Sequence, residues 1–130
     1  MSESAESVIR KYLAAMEQSD ADELASYFSD DAVFIDGPRG THEGIDAIRA
    51  EMQSMAMLSS FSVELKAIAA NGNTVMTERV DTFGIQGKLF DLEVAAVIEV
   101  DGDNRIKRWR DYYDLRSLEE RMAAEFGPSS

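Results

Sequence analysis

The hydrophobic residues of this 130-residue chain change period near residue 60, from helical spacing to strict alternation, and that switch bounds the folds open to it. Val8, Ile9, Tyr12, Leu13 and Met16 recur at three- and four-residue intervals, which predicts a helix from Ala5 to Ser19. Asp20 followed by Glu23 is a capping-box-like pair that starts a second helix, burying Leu24, Tyr27 and Phe28. The apolar run Ala32–Ile35 suits a short strand ended by Asp36-Gly37-Pro38. A third helix is expected from Gly44 to about Met57, with Ile45, Ile48, Met52 and Met55 on one side. Strands then follow over Phe61–Ala70, Val75–Phe83, Lys88–Val100 and Arg105–Asp114, with turns at Asn71-Gly72-Asn73 and Asp101-Gly102. Leu115 to Phe126 reads as a closing helix. Helices first and an antiparallel meander afterwards define an α+β domain. A strongly curved sheet wrapped over the N-terminal helices gives a cone with a pocket inside. No repeat or linker divides the chain, so residues 1–130 are expected to form a single domain with 1–4 and 127–130 as flexible ends.

Two of these strands carry charge where a strand ordinarily buries apolar groups. In Thr77-Glu78-Arg79-Val80-Asp81, alternation projects Arg79 and Asp81 from the same face. In Arg108-Trp109-Arg110-Asp111-Tyr112-Tyr113-Asp114, Trp109, Asp111 and Tyr113 share a face, and Tyr112 and Asp114 point the other way. A guanidinium and a carboxylate on an inner face are costly unless paired. A second carboxylate lets one Arg bridge both, an arrangement suited to acid–base chemistry. The competing reading is a surface ion pair on an edge strand.

Composition removes other chemistries. The net charge is 13 − 25 = −12 with a pI near 4.4, so the surface repels phosphate backbones and no nucleic-acid partner is expected. The absence of cysteine rules out disulfides, thiolate nucleophiles and Cys-ligated metals. His42 is the lone histidine and sits in a polar loop context, so neither a His-rich metal site nor a Ser-His-Asp triad is expected. Gly84-x-x-Gly87 is a turn and lacks the Lys-Ser/Thr of a phosphate loop. Glu17, Glu23, Glu51 and Glu119-Glu120 read as a solvated acidic surface. The N-terminal residues lack the basic and apolar regions of a signal peptide, and no apolar run approaches about 20 residues. A cytoplasmic protein with no membrane association is therefore the expectation.

The segments Thr77–Asp81 and Trp109–Arg116, with Asp20-Ala21, Tyr27–Asp31 and Gly44–Ile48, resemble the NTF2-like, cone-shaped α+β superfamily, within it most closely the limonene-1,2-epoxide hydrolase group. The resemblance implies a cofactor-free, homodimeric enzyme that adds water to a small or medium apolar epoxide. In that group one Asp activates a water, a second Asp protonates the epoxide oxygen, and an Arg bridges them. By motif these are Asp111, Asp81 and Arg79. The group holds its water with a Tyr and an Asn of the first strand, where this chain carries Phe34 and Asp36.

That departure keeps a second reading open. The resemblance to ketosteroid isomerases and polyketide cyclases of the same fold places a general base at Asp36 and an oxyanion donor at Tyr12. The neutral acid that completes such an oxyanion hole falls near Ala96, which has nothing to donate. Tyr12, Phe34, Met52, Met55, Trp109 and Tyr113 are expected to line the pocket, with Met57 beside the methionines as adaptable wall. A non-catalytic ligand-binding module of the same fold is the third reading.

Overall fold

The computed structural model describes residues 3–18 and 20–127. Helix α1 spans Ala5–Met16 and buries the expected stripe of Val8, Ile9, Tyr12, Leu13 and Met16. Its N-terminus is capped by Ser4, whose hydroxyl accepts from the Ser7 amide at 3.1 Å. Of the ends expected to be loose, Ser4 and Gly127 are helix caps, and residues 1–2 and 128–130 lie outside the described residues. Ser19, the expected end of the first helix, also lies outside them. Asp20 caps α2 (Ala21–Ser26) by accepting from the amides of Asp22 and Glu23 at 3.1 and 3.2 Å.

The second helix is shorter than its hydrophobic content suggests because Tyr27 and Phe28 are recruited by the sheet. The Tyr27 carbonyl accepts from the Ile106 amide at 2.8 Å, and Phe28 opens β1 (Phe28–Asp36). Polar Ser29-Asp30-Asp31 is accommodated by a register shift between Phe28 and Val33. Strand β2 (Gly40–Glu43) had no apolar alternation to announce it, and it exists because β1 offers it a partner. Helix α3 (Ile45–Met55) places Ile48 and Met52 in the core.

Strands β3 (Ser60–Asn71), β4 (Thr74–Ile85), β5 (Lys88–Val100) and β6 (Ile106–Tyr112) form the expected antiparallel meander. The sheet order is β2-β1-β6-β5-β4-β3, curved and unclosed, with α1 packed on β3 and β4 and α3 on β1 and β2. One pairing departs from the expectation of an antiparallel sheet: β1 runs parallel to β6, so the sheet is mixed. The crossover joining them is the rest of the chain, as parallel neighbours require. Helix α4 (Leu115–Phe126) follows, capped by Asp114 through the Ser117 amide at 3.0 Å, and buries Leu118. The outward direction read for Asp114 serves that cap.

The parallel pair sets Asp36, at the end of β1, beside Tyr113, just beyond β6. Gly37 follows with a φ of +47°, and a Cβ built there would stand 2.5 Å from the Tyr113 ring. Glycine is thus required twice at this position, for backbone and for space. Gly37→Ala is expected to lower unfolding stability by about 1–3 kcal/mol, measured by urea denaturation.

Candidate active site

The inner face of β4 carries Val75, Thr77, Arg79 and Asp81, all buried, and the inner face of β6 carries Trp109 and Asp111. Between them runs β5, where Val94 stands opposite Arg79 and Ala96 opposite both Thr77 and Asp111. Two strand spacings of about 4.8 Å separate β4 from β6. Only a long side chain crosses that gap, and the methyl group of Ala96 leaves room for it. The guanidinium of Arg79 makes the crossing and is 2% exposed, so the surface-ion-pair reading is excluded by burial.

Arg79 binds both carboxylates in fork geometry. Its Nε donates to Asp81 Oδ1 at 2.8 Å and its Nη2 to Asp81 Oδ2 at 3.2 Å. Toward Asp111, Nη1 donates to Oδ1 at 3.1 Å and Nη2 to Oδ2 at 3.1 Å. Trp109 adds Nε1–H to Asp111 Oδ1 at 2.7 Å, and its ring lies 5.6 Å from the guanidinium carbon. Asp111 therefore receives three N–H bonds and Asp81 two.

Burial opposes the charge on Arg79, yet the adjoining carboxylates of Asp111 and Asp81 outweigh it and hold the guanidinium above its ordinary pKa. Burial pushes the Asp81 carboxyl up from its ordinary value; Arg79 resists this and Asp111 adds to it. Asp81 thus keeps its proton to higher pH than a solvated aspartate. Burial, with Asp111 nearby, likewise raises Tyr12, whose hydroxyl stays protonated.

The triad opens into a cavity of about 180 Å³, bounded by apolar side chains from α1, α3, the sheet and α4. Tyr12, Phe34, Asp36, Met55, Trp109 and Tyr113 line it with the triad. Met52 does not. It lies fully buried behind the wall and accepts the Tyr12 hydroxyl on Sδ at 3.3 Å, because its helical position points it at α1. Met57 is 87% exposed, since α3 has ended before it. Tyr12 is packed edge-on against Tyr27 and Phe28 and tilted onto Trp109 at 4.9 Å. Asp36 accepts from the Tyr113 hydroxyl on Oδ1 at 3.0 Å.

Sequence reading missed Glu51 and Arg39, which also face the cavity. Glu51 is not the solvated residue expected: its place three residues after Ile48 puts it on the inward stripe of α3, and its side chain is 24% exposed. That spacing was the available signal. His42 lies on β2 opposite Phe34 rather than in a loop, half-buried. No helix among the described residues is long and apolar enough to cross a membrane.

The curved mixed sheet and its helices make an NTF2-like α+β fold, with a buried Arg–Asp–Asp cluster in its pocket. The sequence of residues 3–123 matches the family described as the limonene-1,2-epoxide hydrolase catalytic domain, and the chain belongs to that family. It is 31% identical over 116 residues to the epoxide hydrolase EphG of Mycobacterium tuberculosis (strain ATCC 25618 / H37Rv), covering 85% of this chain and 73% of that protein. The solved structure of a limonene-epoxide-hydrolase-like epoxide hydrolase from M. tuberculosis superposes with a TM-score of 0.79 at 28% identity, over 93% of this chain and 94% of that one. A putative SnoaL-like polyketide cyclase from Shewanella denitrificans OS-217 shares the fold, with a TM-score of 0.80 at 19% identity over 92% and 97% of the two chains.

Removing the cation tests the electrostatic account. Arg79→Met leaves Asp81 and Asp111 stranded at 7% exposure each and is expected to cost about 3–5 kcal/mol of stability at neutral pH. The deficit shrinks on acidification, because the stranded carboxylates then take up protons in the folded state; chemical denaturation at several pH values reads both effects.

Proposed function

We propose that this enzyme hydrolyses a small or medium apolar epoxide to a vicinal diol by direct attack of water, with Asp111 as general base, Asp81 as general acid and Arg79 as the bridge. The observation that carries this reading is the unequal support of two carboxylates sharing one guanidinium. Trp109 and Arg79 fill Oδ1 of Asp111, leaving a lone pair on Oδ2 for a water proton. Asp81 has fewer donors and a raised pKa, which suits the proton donor.

In the reacting step the water oxygen bonds to an epoxide carbon while Asp111 takes one of its protons. The carbon–oxygen bond breaks toward oxygen, and that oxygen takes the proton of Asp81. The products are a neutral diol, a protonated Asp111 and an ionised Asp81. Proton return from Asp111 to Asp81 restores the enzyme, so the sum is epoxide plus water. Arg79 contacts both acids throughout and compensates whichever carries the charge. The cycle uses no cofactor. General acid and base each contribute about 10²–10⁴-fold.

Phe34 offers no hydrogen bond to water, and Asp36, held by Tyr113, is one of the polar groups at that end of the pocket. The apolar side chains of the cavity support an apolar substrate. A carbonyl isomerase or cyclase using Asp36 and Tyr12 is the weaker reading, because the Tyr12 hydroxyl is engaged by Met52 and Ala96 supplies no donor. We also read the chain as one domain that pairs with a second copy through the outer sheet face. The stripe of Ala67, Glu78, Ala95 and Tyr112 runs across four strands there, with Tyr112 48% exposed.

Incubation with apolar epoxides in ¹⁸O-labelled water is expected to place one label on one carbon of the diol. Asp81→Asn and Asp111→Asn should each lower kcat by at least about 10²-fold while remaining folded. Surviving activity in either refutes the mechanism. Activity lost in Asp36→Asn but kept in Asp111→Asn points instead to carbonyl chemistry. In the wild type, kcat/KM is expected to fall as pH rises through the raised pKa of the Asp81-containing unit, an alkaline limb above the ordinary aspartate value of about 3.9. Trp109→Phe keeps the packing but drops the bond to Asp111, and a loss of about tenfold in kcat is expected.

A further inference from the structure

Beside the triad, at the far end of β1, a second group of ionisable side chains converges with no part in the acid–base scheme beyond Asp36. Asp36 comes from the end of β1, His42 from β2 and Glu51 from the inward stripe of α3. One donor atom from each lies within 4.8 Å of the others, and all three residues are half-buried. His42 Nε2 and Glu51 Oε2 are 3.4 Å apart. Two ligands bound tetrahedrally at about 2.1 Å from one ion stand about 3.4 Å from each other, so this pair already has ligand spacing.

Charge points the same way. Asp36 and Glu51 are facing carboxylates, and among the described residues no lysine or arginine reaches salt-bridge distance of either. Arg39 lies near enough to attract Glu51 through space without contacting it. Asp36 acts on Glu51 as a like charge, with the attraction of His42 and Arg39 opposing it. Such a pair is relieved by a cation between its members. The orienting contact is also present: Tyr113 donates to Asp36 Oδ1, fixing the carboxylate, and among the described residues no hydrogen bond reaches Oδ2. Outer contacts of this kind hold ligands in place. Packing of the His42 ring at 6.0 Å from Phe34 restricts its turning away.

We propose that Asp36, His42 and Glu51 bind one divalent first-row transition ion, of zinc or manganese type, at the rim of the pocket. One imidazole with two carboxylates suits those ions better than magnesium or calcium, which take oxygen alone. Three protein ligands leave at least one coordination position open, and since Asp36 and Glu51 line the cavity, that position faces it.

The test is titration of the metal-free protein with Zn²⁺ and separately with Co²⁺, followed by calorimetry and by the visible absorption of bound Co²⁺. One ion per chain is expected, with Mg²⁺ binding at least tenfold more weakly. His42→Phe and Glu51→Gln, both checked for folding by circular dichroism, are each expected to weaken Zn²⁺ binding at least tenfold. No stoichiometric binding overturns the proposal. Undiminished binding in a folded His42→Phe overturns it too, since the ion is then held elsewhere on a surface of net charge −12. No substrate enters the measurement, so failure of epoxide turnover leaves its result untouched.

Discussion

One guanidinium held in fork geometry by two buried carboxylates dictates much of this structure. Four N–H bonds from Arg79 satisfy Asp81 and Asp111 in a place where either alone would be expensive to bury. To make those bonds, β4 and β6 must both turn their charged faces inward, and β5 must present small side chains between them. Trp109 must stand where its N–H reaches Asp111 and its ring faces the guanidinium. Each requirement constrains register, since a one-residue slip sends every side chain of a strand to the opposite face. Polar chemistry and strand register are therefore specified by the same residues.

The pocket is divided chemically. One end holds the tightly compensated triad, in which every hydrogen-bonding atom of the Arg79 fork has a carboxylate partner. The other end, built by β1, β2 and α3, gathers Asp36, Glu51, His42 and Tyr113 with less complete compensation. The apolar walls between them come from elements distant in sequence, including Leu118 and Met122 of α4. Because Asp36, His42 and Glu51 rest on β1, β2 and α3 while the triad rests on β4 and β6, substitutions at those three can alter recognition without disturbing the register that holds the triad.

The fold was legible where one physical rule dominated. Alternation announced β4 and β5, and the stripe from Val8 to Met16 announced α1, because burial on one face leaves a plain record in composition. Arg79, Asp81 and Asp111 stand out for the opposite reason: charge on a face that should be apolar demands a partner, and the three are buried together. Strand β2 was invisible, since Gly40-Thr41-His42-Glu43 has no hydrophobic alternation and owes its conformation to β1. The parallel direction of β1 against β6 was hidden as well, because strand direction is set by long-range pairing and not by local pattern. Glu51 shows a subtler gap: its helical phase was readable, but acidic residues on this chain are so numerous that charge alone suggested solvent. Met52 shows that a correct face does not decide whether a side chain meets the cavity or the layer behind it.

The same parallel pairing orders the assembly of the molecule. The hairpins β3–β4 and β4–β5 close across turns of a few residues, whereas Phe34 meets Trp109 across roughly 75 positions of chain. Loop closure grows costlier with separation, and non-local pairings form slowly. The meander can thus bring Arg79 next to its aspartates while water still surrounds them, and the arrival of β1 and the helices afterwards removes that water. Connectivity in this way lets the ions find one another before they are dehydrated.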